Sequence, residues 1–172
     1  MHHLHLLRHA KSSWEEGMED SRRPLSKRGR QAAQLIGETL PKAIGAIDLV
    51  LCSPAARTRE TAELALAGYA SAPHVIFDDG LYLATAEQLL DRLRRLDEDC
   101  QAAMVIGHNP GLHELAATLA APGSKGAVAI TDGKFPTGVR VSFAIEGSWA
   151  ALNDGRHKVT DYVTVKSLGG SE

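Results

Sequence analysis

Residues 103–112 read Ala-Met-Val-Ile-Gly-His-Asn-Pro-Gly-Leu. The apolar run at the start is typical of a buried strand, and the Gly-His-Asn-Pro-Gly run that follows is typical of a tight turn. Apolar residues then recur at helical spacing from Leu112 to Leu119. The stretch therefore predicts a β-strand, a turn that carries His108, and an α-helix.

The same succession of a short apolar run, a polar turn and a helical pattern occurs twice earlier in the chain. Leu4–Leu7 leads into Arg8 and His9, and Asp48–Cys52 leads through a Ser-Pro pair to a helix that carries Arg57. Repeated alternation of strand and helix is typical of a largely parallel sheet with helices on both faces.

Three more apolar segments, residues 75–77, 139–145 and 159–165, complete the predicted sheet. The last two alternate apolar and polar positions, which favours at least one antiparallel strand at an edge. The chain has 172 residues without a repeat or a linker, which is within the usual range of one domain. We therefore predict a single α/β domain, residues 1–172, folded as a three-layer α/β/α sandwich around a mostly parallel sheet of about six strands.

Local residues indicate where the helices begin and end. Ser26 is the expected N-cap of a helix that Pro41 ends. Thr85 and Gln88 have the spacing of a capping box at the start of another helix. Ser53 is expected to cap the helix that follows the second strand.

Charge and hydropathy exclude several classes of function. The formal net charge is -2 and the isoelectric point is near 6.4, with both signs scattered, so no basic face for nucleic acid is expected. No stretch approaches the ~20 apolar residues that a spanning helix needs. Cys52 and Cys100 lack metal-type spacing and are expected as reduced thiols. We expect a cytoplasmic protein that contacts neither nucleic acid nor membrane.

In open α/β sheets, ligands bind beyond the carboxyl ends of the strands. Arg8 and His9 follow the first strand, Arg57 comes shortly after the second, and His108 follows the fourth, so one pocket is expected to collect all four. Guanidinium groups and helix N-termini suit a phosphate. A neutral histidine with a bare ring nitrogen attacks phosphorus directly, while the other groups stabilise the phosphoryl oxygens. The set predicts histidine-based phosphoryl transfer with His9 as the nucleophile.

Three motifs, in this order along the chain, resemble those of the histidine phosphatase superfamily, which includes phosphoglycerate mutases and acid phosphatases. They are Leu7-Arg8-His9-Ala10, like the family's Arg-His-Gly signature; Ser53-Pro54-Ala55-Ala56-Arg57-Thr58-Arg59-Glu60-Thr61-Ala62, like its second arginine motif; and Gly107-His108-Asn109-Pro110, like its second histidine motif. Ala10 replaces glycine and requires an ordinary backbone conformation there. The resemblance implies a phosphoglycerate mutase-like fold with His9 as the nucleophile and a phosphoryl group held by Arg8, Arg57 and His108.

The compact length is similar to that of the small phosphohistidine phosphatases that resemble SixA, and the similarity covers nearly the whole chain. Residues 20–26 resemble that branch's Arg-Pro-Leu segment, which assigns Arg23 to the phosphate pocket. Residues 135–138, Phe-Pro-Thr-Gly, resemble a segment before its fifth strand, and no role is predicted for them. Lys11, Ser12 and Trp14 are expected at the pocket rim, although Trp14 is equally suited to pack its loop onto the body of the protein.

Larger phosphomonoesterases of the superfamily take a carboxylic general acid from an inserted segment, and residues 78–85 are too few to hold one. Phosphohistidine depends less on such an acid, because its imidazole leaves as a neutral molecule once protonated and histidine has a pKa near ~6.5. The short segment therefore favours a P–N substrate. Asp20, Glu87 and Asp132 remain unranked candidates for a general acid.

A metal site is disfavoured. Strand alternation puts His2 on the opposite face from His3 and His5. His108 and His113 are five residues apart, which rotates them by roughly 140° on a helix with ~3.6 residues per turn. We therefore predict an enzyme that uses neither a metal nor another cofactor.

The leading prediction is a phosphatase that removes phosphate from phosphohistidine on a protein, through phospho-His9, and releases inorganic phosphate. One alternative is a phosphatase for small phosphorylated metabolites. Another is a phosphate-dependent binding module without turnover. Mutase activity is disfavoured, because the chain offers little from which to build a lid over a retained product.

Overall fold

The computed structural model describes residues 1–172, and its strands form one six-stranded sheet. In chain order the strands are β1 (His2–Arg8), β2 (Leu49–Cys52), β3 (Val75–Phe77), β4 (Ala102–Gly107), β5 (Arg140–Ile145) and β6 (Lys158–Val163). Their order across the sheet is β3-β2-β4-β1-β5-β6. The first four strands run parallel, β5 is antiparallel to β1, and β6 is antiparallel to β5. The predicted α/β sheet with an antiparallel edge is confirmed.

Five α-helices cover the sheet: α1 (Lys27–Ile44), α2 (Ala56–Ala65), α3 (Ala86–Arg94), α4 (Gly111–Leu119) and α5 (Lys125–Thr131). Because strand residues alternate between faces, Leu4 and Leu6 pack with α3, α4 and α5, whereas Leu7 packs with α1 and α2. The two apolar cores on opposite sides of the sheet give the three layers that the sequence predicts. None of the helices combines the length and the apolar character that a bilayer span requires.

The register of the two central strands positions the chemistry. Arg8 at the end of β1 lies opposite Gly107 at the end of β4. The backbone N–H of His9 then donates to the carbonyl oxygen of Gly107 at 3.2 Å. His9 and His108, which follow the two strands directly, are thereby brought side by side at the carboxyl ends of these central strands.

Two predicted helix starts are confirmed. The Ser26 side chain accepts from the backbone N–H of Gly29, and Thr85 and Gln88 form a reciprocal capping box. The predicted end of α1 at Pro41 is wrong, because the helix continues to Ile44. Proline removes one N–H donor, and in the last turn of a helix that loss affects a single hydrogen bond.

Two other features differ from prediction. Ser53 is not the N-cap of α2; Ala55 takes that position, and the Ser53 hydroxyl engages His108 instead. The sequence also gave no sign of α5, which Ser124 caps. A helix of seven residues is only about two turns long, too short to show an apolar period.

Candidate active site

A cavity of about 330 Å³ opens at the carboxyl ends of the central parallel strands. Its lining comes from parts of the chain that are distant in sequence and consists of Arg8, His9, Lys11, Ser12, Arg23, Arg57, Leu83, His108, Asn109 and Thr137. Seven of the eight predicted site residues therefore line one cavity. The eighth, Trp14, lies against the Arg23 side chain.

His9 follows β1 and has 7% of its surface exposed. Its Nδ1 lies 2.7 Å from the carbonyl oxygen of Ala10 and must be the donor, because a carbonyl oxygen only accepts. This is the one hydrogen bond that the ring makes within the protein, so its Nε2 makes none. Burial is the main cause that lowers the pKa of His9 to about 3, and the Arg8 guanidinium contributes. His9 is thus a neutral imidazole of fixed tautomer with its lone pair on Nε2. Ala10 has the ordinary backbone conformation expected of it.

His108 is the second imidazole of the cavity, and its ring centre lies 5.4 Å from that of His9. Its Nε2 lies 2.7 Å from Ser53 Oγ. That hydroxyl accepts from the Ala55 N–H at 3.4 Å, so its hydrogen is free to donate to His108 Nε2. The proton of His108 then belongs on Nδ1, which is buried without a protein partner. Burial, with the charge of Arg57, lowers the pKa of His108 to about 4.

Arg8 is fixed by the segment that leads into β5. Its Nη1 donates to the Phe135 carbonyl oxygen at 2.9 Å, and Asn109 Nδ2 donates to the same oxygen at 3.0 Å. The N–H of Gly138 donates to the carbonyl oxygens of Arg8 and His9 at 3.2 and 3.0 Å. The Phe-Pro-Thr-Gly segment, for which the sequence predicts no role, therefore ties down the end of β1.

Arg57 lies in the first turn of α2 and is 3% exposed. Its Nη1 donates to the Asp20 carbonyl oxygen at 2.7 Å, and its Nη2 donates to Asp20 Oδ2 at 3.0 Å. The Tyr82 hydroxyl donates to the same carboxylate. The hydrogen bond from Tyr82, with those from Arg57 and Arg23, lowers the pKa of Asp20 to about 2. Asp20 is thus an ionised acceptor that orients both arginines.

Arg23 is held on every side by its own loop. Its Nε donates to the Ser13 carbonyl oxygen at 3.0 Å, its Nη1 to Asp20 Oδ1 at 3.1 Å, and its Nη2 to Ser12 Oγ at 2.7 Å. The Trp14 ring lies under the guanidinium, 4.5 Å from its central carbon, and the tryptophan is 69% exposed. Trp14 therefore packs on a cavity residue without lining the cavity itself.

None of the three carboxylic acids considered as a proton donor is suited to that role. Asp20 is ionised at neutral pH. Glu87 is exposed in the first turn of α3, and Asp132 is exposed beside a separate cavity of about 700 Å³. No carboxyl side chain lines the cavity that contains His9 and His108.

Three histidines outside the cavity make structural contacts. His2 stacks on Trp149 with ring centres 4.8 Å apart, and His113 donates to the Ile130 carbonyl oxygen at 2.8 Å. His5 bonds the hydroxyl of Ser142 at 2.7 Å. No group of three or more His, Cys, Asp or Glu side chains is placed to hold a metal ion.

Sequence reasoning missed several residues of the site. Ser53 was predicted only as a cap, although it contacts His108. Tyr82 and Leu83 lie in residues 78–85. For that segment the sequence predicts only that it is too short to hold an inserted acid. The available signal was an aromatic and an aliphatic side chain together in this short segment. Thr137 lies in the Phe-Pro-Thr-Gly segment, and nothing in the sequence indicates that its side chain lines the cavity.

Known proteins share these motifs and this fold. A sequence profile of the histidine phosphatase superfamily (branch 1) matches residues 4–82. An uncharacterised protein of Mycobacterium tuberculosis strain H37Rv is 37% identical over 152 residues, which cover 87% of this chain and 93% of the relative. The chain belongs to the histidine phosphatase superfamily.

Solved structures place this histidine phosphatase in the SixA-like group. The SixA structure from Nakamurella multipartitia matches with a TM-score of 0.80 and 27% identity over 95% of both chains. That from Agrobacterium tumefaciens matches with a TM-score of 0.78 and 26% identity over 95% of this chain and 98% of its own. A tungstate complex of the protein histidine phosphatase SixA, 21% identical, has the same fold with a TM-score of 0.78 over 96% of this chain and 99% of its own.

Proposed function

We propose that this histidine phosphatase hydrolyses phosphohistidine on a protein through a covalent phospho-His9 intermediate. The state of His9 carries the proposal: a buried neutral imidazole, tied at Nδ1 and bare at Nε2, lines a cavity that three guanidinium groups also line. A neutral nucleophile among fixed positive charges suits attack on an anionic phosphoryl group.

In the first step the His9 Nε2 lone pair attacks phosphorus, and the P–N bond to the substrate imidazole breaks. The electron pair of that bond stays on the substrate nitrogen, which takes up a proton so that the imidazole leaves as a neutral molecule. The Ala10 carbonyl accepts the Nδ1 hydrogen of His9 throughout, and this contact favours the positive charge that develops on the ring.

In the second step water attacks the phosphorus of phospho-His9. The P–Nε2 bond breaks, its electron pair returns to Nε2, and inorganic phosphate is released. His9 regains its starting tautomer because its Nδ1–H remains hydrogen-bonded to the Ala10 carbonyl oxygen. Dividing one displacement into two in this way is the benefit of a covalent nucleophile.

Two donors of the cavity are suited to the phosphoryl oxygens. Arg8 Nε and His108 Nδ1 are buried without a protein partner, although buried polar groups in proteins generally have one. We assign both to oxygens of the transferred group. Arg57 and Arg23, which Asp20 orients, contribute positive charge.

The absence of a carboxyl side chain in the lining supports a P–N substrate over a phosphate ester. An alkoxide is a poor leaving group and requires a strong proton donor, whereas the imidazole of phosphohistidine has a pKa near ~6.5 and is readily protonated from solvent.

A substrate comparison tests the proposal. We expect a protein phosphorylated chemically on histidine to be hydrolysed with a kcat/KM at least about a hundredfold above that of glucose 6-phosphate, because a factor of 100 corresponds to about 2.8 kcal/mol of leaving-group advantage. The measurement is release of inorganic phosphate at matched concentrations, with His9→Ala as the inactive control. Faster turnover of the sugar phosphate would assign the enzyme to small metabolites, and no turnover of either substrate would make the chain a binding module.

A further inference from the structure

Leu83 stands apart from the rest of the cavity lining. It is the only apolar side chain among the lining residues, and it is 52% exposed. It is also the only residue other than glycine with a positive φ, at 51°. L-residues with a Cβ rarely adopt this left-handed conformation, which glycine and asparagine tolerate far better.

The neighbours of Leu83 force this conformation. Leu81 and Ala84 on either side of it are buried, and Thr85 is fixed by its capping box. The Ala84 carbonyl oxygen packs so tightly on α4 that a Cβ added to Gly111 would come within 1.9 Å of it. The segment is therefore anchored on both sides, while the Leu83 side chain lines the cavity and is half exposed to solvent.

For folding alone, leucine is a poor choice at this position. Its backbone is strained and its side chain is half exposed, so it gains neither a relaxed conformation nor full burial. Backbone strain of this kind clusters at active sites and ligand-binding sites, where the surrounding structure holds it in place. A second exposed apolar side chain, Trp14, covers Arg23 at the same cavity.

We propose that Leu83 is a specificity-determining residue that packs against the imidazole ring of the phosphohistidine substrate. The inference rests on the proposed function. The polar lining of the cavity holds the phosphoryl group, whereas the leaving group lies toward the mouth, where Leu83 offers an apolar surface. A flat heteroaromatic ring gains from that contact, and a hydrated sugar does not.

Two P–N substrates separate this role from a general effect on catalysis. Phosphohistidine peptide has an imidazole leaving group, whereas phosphoramidate has the same P–N bond and releases ammonia. For Leu83→Asn, which suits the left-handed backbone but lacks the apolar surface, we expect kcat/KM on the peptide to fall about tenfold, mainly through KM. The rate on phosphoramidate should stay within about twofold of the wild type, because no ring contacts residue 83.

Two further measurements complete the test. Leu83→Met keeps the apolar surface and should retain the wild-type preference for the peptide. The unfolding temperature of Leu83→Asn should equal or exceed that of the wild type, because backbone strain is relieved. An equal loss on both substrates, an unchanged rate on the peptide, or a lowered unfolding temperature would overturn the role of Leu83. Failure of the wild type on both P–N substrates would instead reject the proposed function.

Discussion

At the residue scale, the two histidines of the cavity share the Nδ1–H tautomer, but a different ring nitrogen lacks a protein partner in each. His9 has its proton on Nδ1, because the Ala10 carbonyl accepts it, and is left with a nucleophilic Nε2. His108 has its proton on Nδ1 for a different reason: the Ser53 hydroxyl donates to its Nε2. This arrangement suits the proposed roles, in which His9 attacks phosphorus and His108 donates to a phosphoryl oxygen.

Ser53→Ala tests the second assignment. Without the hydroxyl, His108 Nε2 loses its partner and the ring no longer favours the Nδ1–H tautomer. The lost hydrogen bond leaves a buried nitrogen unsatisfied, at a cost of roughly 1–3 kcal/mol, so we expect kcat/KM to fall between about tenfold and a hundredfold. The measurement is the steady-state rate together with the ring ¹⁵N shifts of His108. Wild-type activity with unchanged shifts would contradict the role of Ser53.

The convergence of the residues that line the cavity could be predicted from sequence, whereas their hydrogen-bond partners could not. Arg8, His9 and His108 stand directly at strand ends, so their convergence follows from the α/β pattern. The contact between Ser53 and His108 joins residues 55 positions apart, and no local pattern indicates it. The same holds for the carboxylate of Asp20, which pairs with Arg57 across 37 positions.

At the scale of elements, the loop that follows His9 is held in place by backbone pairing between residues 11–12 and residues 25–26. The backbone N–H and hydroxyl of Ser26 donate to the Lys11 carbonyl oxygen at 2.9 and 3.2 Å, and Ser12 bridges to Leu25. The first turn of α1 lies directly against this loop, so a Cβ added to Gly29 would come within 1.9 Å of the Lys11 carbonyl oxygen. A helix N-terminus thus sets the position of two cavity residues.

Gly29→Ala should therefore harm both stability and activity. The added methyl group clashes with backbone that has no freedom to move, and overpacking of this kind costs about 1–3 kcal/mol. We expect a lower urea midpoint and a higher KM, because Lys11 and Ser12 shift with their loop. Gln34→Ala, an exposed change in the same helix, is the matched control. If Gly29→Ala is as stable and active as this control, the loop accommodates the added methyl group without affecting the cavity, which would contradict this prediction.

Elements with local signals were predictable, and elements defined by packing were not. The caps at Ser26 and Thr85 follow from side chains that satisfy backbone N–H groups within one turn. The extension of α1 beyond Pro41 and the short helix α5 depend on contacts with the rest of the molecule. Where local preference is weak, tertiary packing therefore decides whether a helix forms and where it ends.

At the scale of the whole molecule, burial of neutral histidines links folding to pH. Desolvation is the main cause that lowers the pKa of His5 to about 4, that of His9 to about 3 and that of His108 to about 4. In the unfolded chain a histidine has a pKa near ~6.5. Below that pH the unfolded state binds protons that the folded state does not, so stability falls as the pH is lowered.

We predict that the free energy of unfolding declines between pH 6.5 and about 3 and that the histidine contribution levels off at lower pH. Urea unfolding at a series of pH values measures the slope. His5→Gln removes one of the three groups without touching the cavity, so its slope should be shallower. An identical slope in this variant would show that His5 does not take part.

In the proposed reaction, His9 carries the phosphoryl group during turnover. The most direct measurement is rapid-quench labelling of the enzyme with a protein phosphorylated on histidine, followed by mapping of the labelled residue. We predict an acid-labile, alkali-stable label on His9, absent from His9→Ala and present in His5→Gln. A label that persists in His9→Ala, or one that survives acid, would contradict the account.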